Sequence, residues 1–276
     1  MNVKFNNTLS LTTGLLICLT LSCRTRVIEP VIPAGERVVL IEEFTGKGCT
    51  NCPKGSRELE NLLSIYQQQL VVVSIHANFF ANPQFFPLGQ YDFRTDEGEL
   101  LFDYLGPNLG YPAGVIDRRK FNNEFQQGTN VWAGYIAQES ALEPRVEFTI
   151  SRSYQENTRH LYLLIEGRAK FDIPEELRIS VMITESGIID AQVDSEAGGV
   201  VEDYVHNHVL RDMLTPFDGH ELAPALIAGE EFEVEFAYEM SSAWNAAQCN
   251  IIAFISLNTN SGDITVLQAG ETHVME

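Results

Sequence analysis

Residues Val38–Phe44 read VVLIEEF, an apolar run broken only by two acids. A short run without alternation suits a strand buried on both faces of a parallel sheet. Downstream, Lys54–Gln69 places Leu59, Leu62, Leu63 and Tyr66 at helical spacing. Leu70–His76, LVVVSIH, is a second buried-strand run. Strand, helix, strand in this length predicts a βαβ unit, with the strands parallel and the crossover right-handed. Residues 77–110 are mixed, and Asn82-Pro83 and Phe86-Pro87 mark irregular chain. A helix is expected over Arg94–Leu105, with Leu100, Leu101 and Tyr104 facing inward. A proline-led strand at Val115–Asp117, a hairpin at Asn122-Asn123 and a helix over Asn130–Leu142 complete the element order of a thioredoxin fold.

Beyond Pro144 the period changes to two. The runs are Val146–Tyr154, His160–Lys170, Leu177–Thr184, Tyr204–Arg211, Glu231–Met240, Cys249–Leu257 and Ile264–Leu267. Turn residues separate them, which predicts an antiparallel sandwich of immunoglobulin-like type. The expected organisation is a signal peptide over 1–22, a lipidated N-terminus and tether over 23–36, a thioredoxin-like α/β domain over 37–143 and an all-β sandwich over 144–276.

Composition narrows the function classes. The chain has 276 residues, 45% of them hydrophobic, enough for two cores. Its formal net charge is −20. The acidity is uneven: 10 basic and 15 acidic residues over 24–143, against 7 and 23 over 144–276. A polyanionic surface repels phosphate backbones, so no nucleic-acid partner is expected.

The start, MNVKFNNTLSLTTGLLICLTLSC, has one lysine, an apolar run from Leu9 to Leu21 and a small residue before Cys23. That is the layout of a secretory signal, too short for a comfortable span. Cys23 stands where a lipoprotein signal places its lipidated cysteine. Acylation would anchor the chain to a membrane; the alternative is ordinary cleavage leaving a free Cys23. Two prolines and no apolar period make residues 24–36 a tether.

Of the five cysteines, Cys18 lies in the signal and Cys249 opens an apolar strand, where it reads as a small buried hydrophobe. Cys49 and Cys52 remain as a CxxC pair. They fall between a buried strand and a helix, whose unpaired N–H groups and dipole stabilise a thiolate. Cys49 is then the attacking thiol and Cys52 the resolving one, with Pro53 tolerated in the first turn. Zinc is the alternative use of CxxC, but it wants two further Cys or His ligands. His206-Asn207-His208, the one close histidine pair, falls in the other expected domain. A structural disulfide is the stronger alternative. No metal or cofactor is expected.

Three positions could support the dithiol. Glu43, six residues before Cys49 in the buried strand, would have a raised pKa and could accept the Cys52 proton. Its alternative is a strand-edge acid pointing to solvent. Tyr111-Pro112 precedes the third strand and is a candidate cis peptide whose loop would hold an extended substrate. His76 ends the second strand on the same edge as the dithiol and could modulate it, or be an ordinary core residue. His206 and His208 are expected on one strand face, with Asp203 and Asp212 nearby.

The segments EEFTGKGCTNCPKG, GYPAGVIDR and YVHNHVLRD together resemble the twenty-eight-kilodalton outer-membrane lipoprotein family of Bacteroides-type bacteria. The resemblance implies a thioredoxin-like N-terminal domain, a β-rich C-terminal domain and an outer-membrane address. Cys49, Cys52 and Pro112 match the thioredoxin pattern, with Glu43 in place of its buried aspartate. Gly48 replaces the usual Trp before the first cysteine, and no proline stands between the two. Two functions are therefore expected to compete. One is a cell-envelope thiol–disulfide oxidoreductase acting on protein thiols and disulfides. The other is a binding or adhesion lipoprotein that uses the fold as a scaffold and the disulfide as a staple.

Overall fold

The computed structural model describes residues 37–106 and 110–275. The expected signal peptide, Cys23 and the tether lie outside the described residues.

The chain begins with β1 (Val39–Thr45), enters α1 (Cys52–Tyr66) and a short 3-10 turn, and returns as β2 (Leu70–His76). β1 and β2 are parallel, pairing Val39 with Leu70 through to Thr45 with His76. The buried run of β1 is explained by helices on both of its faces. Val39 and Ile41 pack with Leu59 and Leu62 of α1, while Leu40 and Phe44 pack the other way. Next come α2 (Asn78–Ala81) and α3 (Asp96–Tyr104). The α3 start is capped by Thr95, whose hydroxyl accepts from Gly98 N at 2.9 Å, and Asp96, Glu97 and Glu99 occupy its first turn. Its buried face is Leu101 and Phe102, and Leu100, expected to face inward, points outward. β3 (Ala113–Ile116) runs antiparallel to β1, β4 (Gln126–Gln127) pairs with β3, and α4 (Thr129–Ser140) closes this half with Trp132 buried.

The second half is the expected antiparallel β region. Its strands are β5 (Val146–Gln155), β6 (His160–Ala169), β7 (Glu176–Glu185), β8 (Ile188–Asp194) and β9 (Gly199–His206), then β10 (Val209–Met213), β11 (His220–Ala223), β12 (Glu231–Glu239), β13 (Cys249–Asn258) and β14 (Val266–His273). The run Tyr204–Arg211, expected as one strand, is two, because the chain turns at Asn207-His208 with His208 at φ 57°. His206 and His208 therefore do not share a strand face.

The two halves share a sheet. Its order is β14-β13-β7-β10-β2-β1-β3-β4, with β10 parallel to β2. Ser74 N of β2 donates to His208 O at 2.8 Å across this seam. Period two on β7 serves two cores at once. Val181 and Ile183 pack with Leu163 and Ile165 of the three-stranded sheet β12-β6-β5. Met182 packs the other way, with Ile252, Phe254, Val73 and Leu101. A buried ion pair of the first half abuts the same seam. Arg118 grips Glu42 through two bonds of 2.8 and 2.9 Å and lies 4.7 Å over the Phe254 ring. Such paired burial compensates a desolvation that either charge alone would not survive. The described residues fall in one compact unit. β8 and β9 form a separate two-stranded hairpin.

Candidate functional site

β1 delivers the chain to the sheet edge at Thr45, and the next residues turn back sharply. Gly48 N donates to Phe80 O at 2.9 Å, and Cys49 N to Gly46 O at 3.0 Å. Gly48 must be glycine: a Cβ there would lie 2.2 Å from Cγ of Phe86, whose ring covers it. The tryptophan expected before a thioredoxin dithiol is thus replaced by an aromatic ring supplied from residue 86. Cys49 and Cys52 form a disulfide, with Cα atoms 5.4 Å apart, at the start of α1. Asn51 at the N-cap makes no side-chain cap bond; in the first turn Cys52 N donates to Cys49 O at 3.3 Å and Lys54 N to Asn51 O at 3.1 Å, and Pro53 has no N–H, so the helix offers the sulfurs mainly its dipole.

The acid sits under that first turn. Glu43 is fully buried, and its Oε2 accepts from Ser74 Oγ at 3.1 Å. Oε1 has no hydrogen-bond partner among the described residues. A Cβ on Gly55 would meet Glu43 Oε1 at 2.7 Å and the Pro112 ring at 2.8 Å, so acid, helix and proline are in close contact. Burial pushes the Glu43 carboxyl up to about 8, although the Ser74 hydroxyl offsets part of the shift. The solvent-facing alternative for Glu43 does not describe this side chain. The Tyr111–Pro112 peptide is cis, and the Tyr111 hydroxyl donates to Ala77 O at 2.9 Å.

Behind the dithiol lies a cavity of about 240 Å³, lined by Cys52, Ser74, His76, Tyr204, His206 and His208 among others. The rings of His76 and His206 are 5.7 Å apart, and both pack on Phe93. His76 Nδ1 and His206 Nε2 have no partner among the described residues. Burial is the main cause that lowers both imidazoles, His206 to about 4, so both are neutral at neutral pH. The histidines expected in a separate domain therefore line the same cavity as Cys52. Period-two reading could not place them, because the seam between β10 and β2 joins residues distant in sequence. No group of described residues has the arrangement of a metal site.

The sequence reading also missed β8. Val193 N donates to Lys47 O and Ser195 N to Thr50 O, each at 2.9 Å. The Gln192 amide donates to Cys49 O at 3.1 Å and Gly46 O at 3.3 Å. Buried Lys47 pairs with Asp190 at 2.8 Å. Burial alone would raise the Asp190 carboxyl, but the Lys47 ammonium and the N–H groups of Gln90 and Tyr91 hold it below its usual range. The only advance sign was the polar alternation in IIDAQVD, too short and acidic to register as a strand.

An aromatic cluster flanks the other side. Phe79, Phe80, Phe85 and Phe86 pack on one another, and Phe80 stacks toward Tyr111 at 5.5 Å. Phe79 and Phe85 are exposed. Residues 77–91 carry no charge in a chain of net −20.

Comparison with known proteins agrees with this picture. HBP35 of Porphyromonas gingivalis superposes with a TM-score of 0.69 at 16% identity, over 87% of this chain and 76% of that one. A domain of the outer membrane lipoprotein Omp28 from Porphyromonas gingivalis aligns over 48% of this chain and 88% of its own, at 13% identity and a TM-score of 0.30. No curated protein matches the chain. The family described as outer membrane protein Omp28 matches residues 103–274, more than half the sequence and most of the β region. The chain with the CxxC pair Cys49–Cys52 is a member of the Omp28 outer-membrane family, with a thioredoxin-like first half.

Proposed function

We propose that the chain is a thiol–disulfide oxidoreductase of the cell envelope, acting on protein thiols and disulfides. The observation that carries the reading is the contact between the first turn of α1, which holds Cys52, and the buried Glu43, whose carboxyl burial pushes up to about 8. In the oxidised form a client thiolate attacks Cys49 Sγ. The Cys49–Cys52 bond breaks, and Cys52 leaves as a thiolate that takes the Glu43 proton. A second client thiolate then displaces Cys49, so the client gains a disulfide and the chain becomes a dithiol. The reverse reaction reduces a client disulfide, with Glu43 accepting the Cys52 proton.

Reduced protein should show this chemistry directly. Alkylation of Cys49 across pH is expected to titrate well below the free thiol value of about 8.5, because the helix N-terminus favours the thiolate. Titration near that value would leave the disulfide as a staple. The staple reading has one observation in its favour: both cysteines are buried, at 2% and 1% exposure. The β region would then be the working surface of a binding lipoprotein. In either case we propose that acylated Cys23 holds the chain on the membrane. Cys23→Ser should release it from the membrane fraction, and retention of the variant would argue against the anchor.

A further inference from the structure

Thiol–disulfide exchange needs a thiolate to reach a sulfur, so access limits its rate. Thr50 and Asn51 are exposed, yet the two cysteines on either side of them are not. β8 and the residue after it run along this turn and contribute two main-chain hydrogen bonds, from Val193 to Lys47 and from Ser195 to Thr50. The Gln192 amide adds its bond to the carbonyl of Cys49 itself. Two ion pairs fasten the same contact, Lys47–Asp190 and Arg57–Asp194, the latter at 3.0 Å.

Beyond that contact Asp190 also accepts from the Gln90 and Tyr91 amides and the His206 ring packs on Phe93, while the outer face of the hairpin is bare. β8 and β9 pair only with each other, and Ile189, Val200 and Val205 are exposed. Its two ends meet. Gly187 N donates to the Asn207 side chain at 3.0 Å, and Gly187 and His208 both have positive φ, at 74° and 57°. A segment with both ends at one point, few apolar contacts and a polar attachment at its far side has the build of a flap.

We propose that the β8–β9 hairpin is a gate over the dithiol. Closed, it covers the sulfurs and occupies the carbonyls of Lys47 and Thr50. Open, it frees Cys49 Sγ and leaves both carbonyls to an extended client segment. The gate's purpose rests on the oxidoreductase reading, but its existence does not.

The test is the rate at which dithiothreitol reduces the Cys49–Cys52 disulfide in the folded full chain, read by thiol labelling and mass spectrometry. Val193→Pro removes the N–H given to Lys47, which β9 does not use, and Asp194→Asn removes the Arg57 pair. Each should speed reduction by about tenfold, equivalent to about 1.4 kcal/mol of closing free energy. Phe86→Ala, on the opposite flank, should have a smaller effect. Folded gate variants that reduce at the wild-type rate would overturn the proposal. Hydrogen exchange of the unmodified protein gives a second reading that requires no variant to fold. The amides of Val193 and Ser195 should exchange together and much faster than those of β13; protection equal to β13 also overturns it. Faster reduction in variants that capture no client would leave the gate standing and remove the oxidoreductase reading.

Discussion

Glu43 is the residue on which the chemistry turns, and its environment has a measurable consequence for stability. Its carboxyl titrates at about 8 in the folded chain, against 4.5 in a peptide, because burial disfavours the charge. The unfolded chain therefore releases this proton first. Between those values the folded state binds more protons, so the stability Glu43 contributes is full below pH 4.5 and is lost as pH rises to 8. The loss is on the order of a few kcal/mol. Glu43→Gln should flatten that part of the profile and leave the variant the more stable protein at pH 9, judged by Tm in parallel melts. Identical slopes for the two proteins would show that the carboxyl is not held neutral. His76 and His206 act in the opposite sense, since buried neutral imidazoles make folding less favourable as pH falls below about 6.5. The comparison of variant with parent cancels their contribution. The position of Glu43 was legible from its distance to the CxxC in a buried run. Its neighbour Glu42 was not: nothing local marks Arg118, 76 residues away, as its partner.

Elements with one dominant period were legible. β1, β2 and α1 follow from apolar runs and helical spacing, and the strand ends fall within a residue or two of expectation. The runs of β5, β6, β12 and β13 were equally plain. Failures came where the local signal was weak or double. Of the expected inward face of α3, Leu101 is buried and Tyr104 packs on the core, but Leu100 points outward, because Leu100, Leu101 and Phe102 form a triple that fits two faces. β9 and β10 were fused because YVHNHVLRD alternates without a glycine or proline at the turn, which His208 makes by adopting positive φ itself. The β8–β9 hairpin was invisible for a third reason. Its stabilising contacts are polar and lie on the dithiol turn, and hydrophobic periodicity carries no record of them.

At the scale of the molecule, the two expected halves meet in a single sheet. Thioredoxin-like strands β1 and β2 are continued through β10 into β7, β13 and β14. This places His206, His208 and Gln192 of the second half in the cavity that Cys52 of the first half lines. Sequence alone could supply both halves but not the seam, since strand neighbours from distant segments leave no periodic trace. The joint construction bears on function. The aromatic segment 77–91 on one flank of the dithiol carries no charge of its own and exposes Phe79 and Phe85, while Asp190 of the β region reaches its Gln90 and Tyr91 amides. On the proposed reading, this exposed aromatic flank would receive the apolar side chains of a polypeptide client. The central claim is that Cys49 exchanges with protein cysteines. Cys52→Ser removes the resolving thiol and should leave mixed disulfides on Cys49 when the chain is expressed in its own envelope. Non-reducing electrophoresis and mass spectrometry would then recover discrete client proteins that disappear in the Cys49→Ser/Cys52→Ser double variant. An adduct pattern no different from that of the double variant would contradict the account.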